Sequence, residues 1–417
     1  METLKVKNFL LVKDAFFEVK KINLIIGNQA SGKSIISKLL FYFKEFVSST
    51  FLQSIERDET RTSVQKEGLA QFVEYFPKYT WSSQEFEIIY TIDDFVVSVR
   101  NIRRPSGRMS LKMNYSDTMH MMHGKCRKAY KTFLKDESRR KKGVYMGHQF
   151  WDFSRKVVYA NEAYSTKFGN PTFIPASRSF FANLQNSVFS FLASNIDIDP
   201  FMKKFGSSYE NSKRLYNDTF YINDESHKAV RKEVTDLVEK ILVGQYEHKD
   251  EKDWIRYKDS RINLTNASSG QQEALPMLVI LSSFPFFQPA GGRPLFFIEE
   301  PEAHLFPTSQ KYIAKLLVLL HSLDNTFVLT THSPYILTAL NNMILTSEIR
   351  SSKTAKNLPK KFKPEFDLMF EDVSAYTIES GKLKTIMDAD NRLIGSSVID
   401  KVSDVFEREF DELLAYT

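Results

Sequence analysis

Gly27-Asn28-Gln29-Ala30-Ser31-Gly32-Lys33-Ser34 fits the pattern G-x-x-x-x-G-K-[ST], and no other stretch constrains this chain as tightly. Before it, Ile22-Asn23-Leu24-Ile25-Ile26 is nearly all apolar, as expected of a buried parallel strand. After it, Ile35, Ile36, Leu39, Leu40 and Phe43 recur at helical spacing. A strand, a glycine-rich turn and a helix in that order are the context the pattern requires. The glycines let the backbone curl, so that N–H groups and the helix N-terminus converge on phosphate oxygens. Lys33 is then placed to reach the β- and γ-phosphates and the Ser34 hydroxyl to ligate Mg²⁺. ATP and Mg²⁺ are the cofactors this loop implies.

Leu295-Phe296-Phe297-Ile298-Glu299-Glu300 is four apolar residues ending in two acids. Such a strand delivers carboxylates to a nucleotide site: Glu299 to hold Mg²⁺, mainly through water, and Glu300 to orient or deprotonate the attacking water. Pro301-Glu302-Ala303-His304-Leu305 follows directly. Upstream, Ala267-Ser268-Ser269-Gly270-Gln271-Gln272-Glu273 reads as a serine- and glycine-rich loop opening a helix, an arrangement that offers N–H groups to an anion. Downstream, Thr330-Thr331-His332-Ser333-Pro334 follows the apolar run that starts at Thr326 and sets His332 where a strand meets a helix. Each of these four motifs occurs once, in an order that makes a common site the simplest reading.

Taken together, they resemble ABC-type ATPases. Ala267–Gln271 is similar to the Leu-Ser-Gly-Gly-Gln signature, with Ala267 and Ser269 as departures, and His332 resembles the switch histidine. The run Glu299–Leu305 with Thr331–Pro334 looks like the SMC/OLD branch, which includes RecF-like ATPases and ATPases of bacterial anti-phage systems such as PARIS, Septu or those accompanying retrons. Phe173-Ile174-Pro175-Ala176-Ser177-Arg178 is similar to the Ile-Pro-Ala-x-Arg stretch of the OLD-like group. Two further departures are Glu299, where transporters and many SMC proteins carry Asp, and Gln29, where Asn is frequent.

The resemblance implies an α/β ABC-ATPase head: a mixed sheet around the phosphate-loop core, an antiparallel β layer and a helical subdomain. The expected division is 1–180, 181–260 and 261–417. It also implies a homodimer or higher oligomer, in which Ser268, Ser269 and Gly270 of one copy face the γ-phosphate bound to Gly27–Ser34 of the other. The glutamine of the Q-loop is not placed; Gln185 and the Pro175–Arg178 region are the candidates. Neither a long coiled-coil arm nor a TOPRIM-like acidic cluster is evident, so an ATPase-only member is expected, controlling a separate effector such as a nuclease or toxin. A RecF-like DNA-repair ATPase and a nucleotide-gated scaffold with little turnover are the competing readings.

Composition narrows the remaining possibilities. With 42% hydrophobic residues among 417, the chain can bury a large core, and 35 Phe make that core aromatic. One cysteine, Cys126, excludes an intramolecular disulfide. The N-terminus has no signal-peptide pattern and no apolar run reaches the length of a membrane span, so a cytoplasmic protein without membrane contact is expected. The net charge of +6 is too dispersed to imply a polyanion, but residues 125–142 are strongly basic and form a candidate for nucleic-acid contact. His120 and His123 stand at an i, i+3 spacing, and metal binding there is not expected.

Residues 1–26 read as three strands, and 84–115 as further strands turning at Asp93-Asp94. The stretch 181–245 reads as helical with breaks at Pro200 and Gly206. Strands are expected at Trp254–Tyr257 and Ile262–Thr265, a helix at Ala274–Ser283 and a hairpin turning at Ser380-Gly381. A surface loop is expected over 350–364 and an amphipathic helix over Ile399–Leu414.

Overall fold

Residues 1–135, 149–184, 198–216, 227–286, 292–352 and 358–395 are described by a computed structural model of the chain. The first three strands are β1 (Glu2–Phe9), β2 (Val12–Val19) and β3 (Ile22–Ile26). Then follow β4 (Phe86–Ile92), β5 (Phe95–Arg103), β6 (Met109–Tyr115) and β7 (Gly169–Ile174). A small antiparallel sheet holds β8 (Gln245–Lys249), β9 (Lys252–Tyr257) and β10 (Ser260–Asn263). The core strands β11 (Arg293–Glu299), β12 (Thr326–Thr331), β13 (Val373–Glu379) and β14 (Lys382–Thr385) complete the main set.

Eleven of these strands make one sheet in the order β6-β5-β4-β1-β2-β14-β13-β3-β12-β11-β7. The half from β6 to β2 is antiparallel, and β13, β3, β12, β11 and β7 run parallel. The fold is therefore mixed α/β around one large sheet. The antiparallel layer expected at 84–115 is a continuation of the core sheet and not a separate one. The joint between the halves is the tip of the β13–β14 hairpin, where the Gly381 carbonyl accepts the Lys13 N–H at 2.7 Å. Ser380 and Gly381 have φ of 51° and 81°, the primed turn that two-residue hairpins favour. A Cβ on Gly381 would lie 2.6 Å from the Leu11 carbonyl oxygen, so the glycine is needed for contact as well as for the turn.

The near-continuous apolar runs of the parallel strands are explained by cores on both faces. Ile25, Phe297 and Val328 join the core that includes Leu39, Leu40 and Phe43 of the helix Lys33–Glu45 and the antiparallel strands. Their neighbours Leu24, Phe296, Ile298, Phe327 and Leu329 join the core formed with the helices Ser269–Ser283, Pro307–His321 and Pro334–Ser351.

Two expectations are corrected. Gly206 does not break a helix: Pro200–Tyr216 is continuous through it, and Pro200 begins it, where its missing N–H leaves no intrahelical bond unmade. A Cβ at 206 would stand 2.6 Å from the Phe181 ring, so the glycine admits the ring. The region 350–364 is not all loop, because the helix Pro334–Ser351 runs into it. The helix expected at Ile399–Leu414, the candidate Gln185 and the basic residues beyond Lys135 lie outside the described residues.

His123 is fully buried, its Nε2 2.8 Å from Ser54 Oγ and its ring against Phe51. Among the described residues no cluster of His, Cys, Asp or Glu has the makings of a metal site. Burial, followed by the charge of Arg127, pushes the His123 pKa down to about 4, below the ordinary 6.5. The unfolded chain therefore takes up a proton that the folded chain refuses. Stability present above pH ~6.5 is lost as pH falls toward ~4, at up to about 1.4 kcal/mol per pH unit. Urea unfolding of wild type and His123→Gln across this window should show the shallower pH dependence in the variant; parallel curves would remove His123 as the source. Burial also pushes the Cys126 thiol up to about 11, so this buried cysteine is inert as a nucleophile near neutral pH.

Candidate phosphate and hydrolysis site

In open parallel sheets, ligands bind beyond the carboxyl ends of the strands. Here β7, β11, β12 and β3 are adjacent, and Glu299 pairs in register with Thr330 and Thr330 with Ile25. Their carboxyl ends therefore bring Pro175–Arg178, Glu299-Glu300, Thr331-His332 and Gly27–Ser34 to one crest.

The loop after β3 is shaped by positive φ at Gly27 (151°), Ala30 (59°) and Gly32 (105°). Gly32 is the N-cap of the helix Lys33–Glu45 and has no side chain to satisfy its N–H groups. Among the described residues, no protein acceptor takes the N–H groups from Asn28 to Gly32. The Lys33 ammonium turns back onto the Gly27 and Asn28 carbonyls, each at 2.7 Å. Burial holds its pKa below the ordinary value against the opposing pull of Glu300 and Glu302. Unmet donors around a partly desolvated cation describe a cradle for an anion. Ser34 is exposed on the first turn of this helix, and the Ser31 hydroxyl is buried without a partner.

At the end of β11 the two carboxylates differ. Glu299 is buried; its Oε2 is 3.5 Å from the Ala176 N–H, and its Oε1 has no partner. A buried, orphaned carboxylate oxygen fits a divalent cation, so Glu299, with the exposed Ser34 hydroxyl on the same crest, is suited to hold Mg²⁺. Glu300 turns outward in the left-handed region (φ 44°), and its Oε1 lies 3.2 Å from His332 Nε2. The Glu300 and His332 side chains remain 40% and 35% exposed, so this side of the crest is open to a further molecule.

Two residues hold these groups in place: Glu302, to which sequence reasoning gave no role, and Arg178, which it named only within a candidate Q-loop region. Glu302 Oε1 accepts from Thr331 Oγ1 and from the His332 N–H, both at 2.7 Å, and so fixes the backbone that presents His332. Arg178 is fully buried. Its guanidinium donates to the Pro175, Glu273, Glu299 and Glu300 carbonyls at 2.9, 3.0, 2.7 and 3.0 Å. Glu273 in turn accepts the Arg178 and Ser179 N–H groups, each at 2.9 Å. Burial lowers the Arg178 pKa, and the nearby carboxylates, Glu273 first, oppose that. The only sequence signal was the Ile-Pro-Ala-x-Arg pattern, which names the residue and not its partners.

Arg178→Met would remove the guanidinium donor from four carbonyls and the cation from the buried Glu273 carboxylate. Breaking one side of a buried pair costs about 3–5 kcal/mol, and urea unfolding should show a loss of that order. A loss below about 1 kcal/mol would mean that the bridge does not support the fold.

Ser268 caps the helix Ser269–Ser283 through a capping box with Gln271, and Ser268 and Ser269 are exposed. The helix starts earlier than Ala274, where the apolar pattern begins. A Cβ on Gly270 would lie 2.7 Å from the His304 carbonyl oxygen, so only glycine lets this loop pack on the segment after β11. The structure thus gathers Gly27–Ser34, Glu299, Glu300 and His332. It records no contact of Ser268, Ser269 or Gly270 with the phosphate loop of the same chain.

Residues 173–337 match the family described as AAA ATPase domain. The match spans Arg178, Ser268–Gly270, Glu299, Glu300 and His332; the loop Gly27–Ser34 lies outside it and joins through the β3–β12 pairing. Among solved structures, an Smc head domain with an extended coiled coil from Pyrococcus furiosus, bound to the C-terminal domain of ScpA, is 14% identical. That likeness covers 98% of this chain and 99% of the other, with a TM-score of 0.40. The SMC head domain from Thermotoga maritima is 12% identical over 92% and 97%, with a TM-score of 0.36. The recombination mediator protein RecF-ATPrS is 11% identical over 92% and 97%, with a TM-score of 0.30. No curated protein matches the chain.

Proposed function

We propose that this protein binds and hydrolyses ATP in a site shared between two copies. The observation that carries the reading is the crest itself. An unmet N–H cradle with Lys33, an orphaned buried carboxylate at Glu299 and an exposed Glu300–His332 pair stand on adjacent strands. Lys33 and the N–H groups of residues 28–32 bind the β- and γ-phosphates. Ser34 and, through water, Glu299 would hold Mg²⁺, which would supply charge neutralisation on the triphosphate. Glu300 takes or orients the proton of the attacking water, and His332 faces the γ-phosphate. Ser268 and Ser269 are exposed at a capped helix start, with Gly270 next to them, and in this reading they serve the triphosphate of a second copy. Steady-state phosphate release with Mg²⁺, with and without EDTA, is the first test; no turnover at any protein concentration would leave binding alone.

Within this reading, the motif set of the OLD-like group supports a regulatory ATPase of a bacterial anti-phage system, acting on a separate effector. Its test is co-purification of a neighbouring nuclease or toxin gene product with the ATP-bound, hydrolysis-blocked form; a partner held equally without ATP would count against it. Direct nucleic-acid contact through residues 125–142 is less favoured by the described part of that stretch. Arg127 and Lys131 there both engage Asp58, at 2.7 and 2.6 Å. Among the described residues no helix is long and apolar enough to cross a membrane.

A further inference from the structure

Lysines from two separate segments meet around one cleft on the helical side of the core. The helix Pro307–His321 supplies Lys311 and Lys315, and the segment after the helix Pro334–Ser351 supplies Lys361 and Lys363. The cleft has a volume of about 400 Å³, enough for a nucleotide-sized group. Its lining is aromatic and apolar at Phe362, Phe366 and Met343, with the polar side chains of Asn342 and Thr346 beside them.

The charge there is not locally balanced. Lys363 is paired, at 2.9 Å from Glu233 and 3.4 Å from Glu365. Among the described residues no carboxylate pairs with Lys311, Lys315 or Lys361, nor with Lys240 nearby. The Lys315 ammonium rests 4.6 Å over the Phe366 ring. Burial holds its pKa down, and the charges of Lys311, Lys240 and Lys363 push the same way against the opposing pull of Glu233. The wall is built and not a loose tail: Arg350 donates to the Phe362 carbonyl at 2.8 Å and pairs with Asp367.

We propose that this cleft binds single-stranded nucleic acid, with one base against Phe362 and the neighbouring phosphates on Lys311, Lys315 and Lys361. Lysines suit phosphate as point charges, and an aromatic face takes a base of any identity. The positive field extends past the cleft to Lys240 and to exposed Lys360, which favours a strand over a lone nucleotide. An acidic protein segment would satisfy the lysines but would gain nothing from the aromatic lining.

The test is fluorescence anisotropy of the full chain with a labelled mixed-sequence single-stranded DNA of about 20 nucleotides, long enough to exceed a single-fold site. Lys311→Gln/Lys315→Gln/Lys361→Gln should weaken binding at least tenfold. It should also flatten the dependence of log affinity on log salt by about 2, at about 0.7 per lost phosphate contact. Phe362→Ala, at an exposed position, should weaken binding about tenfold with the salt slope unchanged. ATP binding should be unaltered in both, which shows that they fold. If the triple variant is unstable, Lys361→Gln with Phe362→Ala on the exposed segment carries the test alone. The proposal is overturned if wild type does not bind the strand or if these variants bind it as wild type does. It is equally overturned if poly-glutamate at matched charge displaces the strand and Phe362→Ala has no effect.

Discussion

Glu300→Gln should bind ATP as tightly as wild type and hydrolyse it about 10²–10⁴-fold more slowly, the usual contribution of a positioned general base. The substitution keeps the shape and removes the charge. Little in the fold depends on that charge: the Glu300 backbone is held by its N–H to the Thr330 carbonyl at 2.8 Å and by Arg178 on its carbonyl. Among the described residues the carboxylate itself pairs with His332 Nε2 alone, at 3.2 Å, in a half-open setting. Glu299→Gln changes a different group, a buried carboxylate with one oxygen unpartnered, and should weaken Mg²⁺-dependent ATP binding as well as turnover. Single-turnover hydrolysis and titration with a fluorescent ATP analogue separate the two. If Glu299→Gln binds normally and traps ATP while Glu300→Gln loses binding, the assigned roles are reversed.

What the sequence made legible follows from the range of the interactions involved. The phosphate loop, the two acids and His332 are local patterns, each a strand running into a turn, and all four stand on the crest. The hairpin at Ser380-Gly381 was legible because glycine marks a primed turn. The strand β8 was missed because its turn uses Asp250 and Glu251, both with positive φ (54° and 56°) but neither a glycine. The union of the antiparallel and parallel halves depends on Gly381 meeting Lys13, residues separated by most of the chain. Arg178 belongs to the same class. Its five hydrogen bonds run to four residues on three segments, and no spacing rule can foretell an acceptor set assembled by packing. The lysine cleft likewise gathers residues from helices and a loop that composition alone scatters.

Lys33→Ala and Ser268→Arg should each abolish turnover alone and restore part of it when mixed. Lys33 donates to its own loop while no phosphate is there, and its removal takes the cation from the cradle. A loss of at least about 10²–10³-fold is expected of a preorganised donor to a transition-state charge. Ser268 is on the outside of the same chain, so an arginine there can be accommodated by the fold while blocking approach to a second copy. In the proposed two-fold dimer each site takes its phosphate loop from one chain and Ser268 from the other. A mixed dimer then has one site with both lesions and one intact. With random pairing, half of the dimers are mixed and one site in two is intact in each, so about a quarter of wild-type activity should return. Recovery requires the intact site to turn over alone. If mixed dimers form and stay inactive, cross-linking decides between coupled sites and a wrong geometry. Gln29→Cys, exposed on the loop of one chain, and Ser269→Cys in the other should form a disulfide in the ATP-bound Glu300→Gln background if the loop and the helix start face each other. No cross-link there, with the dimer intact, would end the shared-site reading and leave a site complete within one chain.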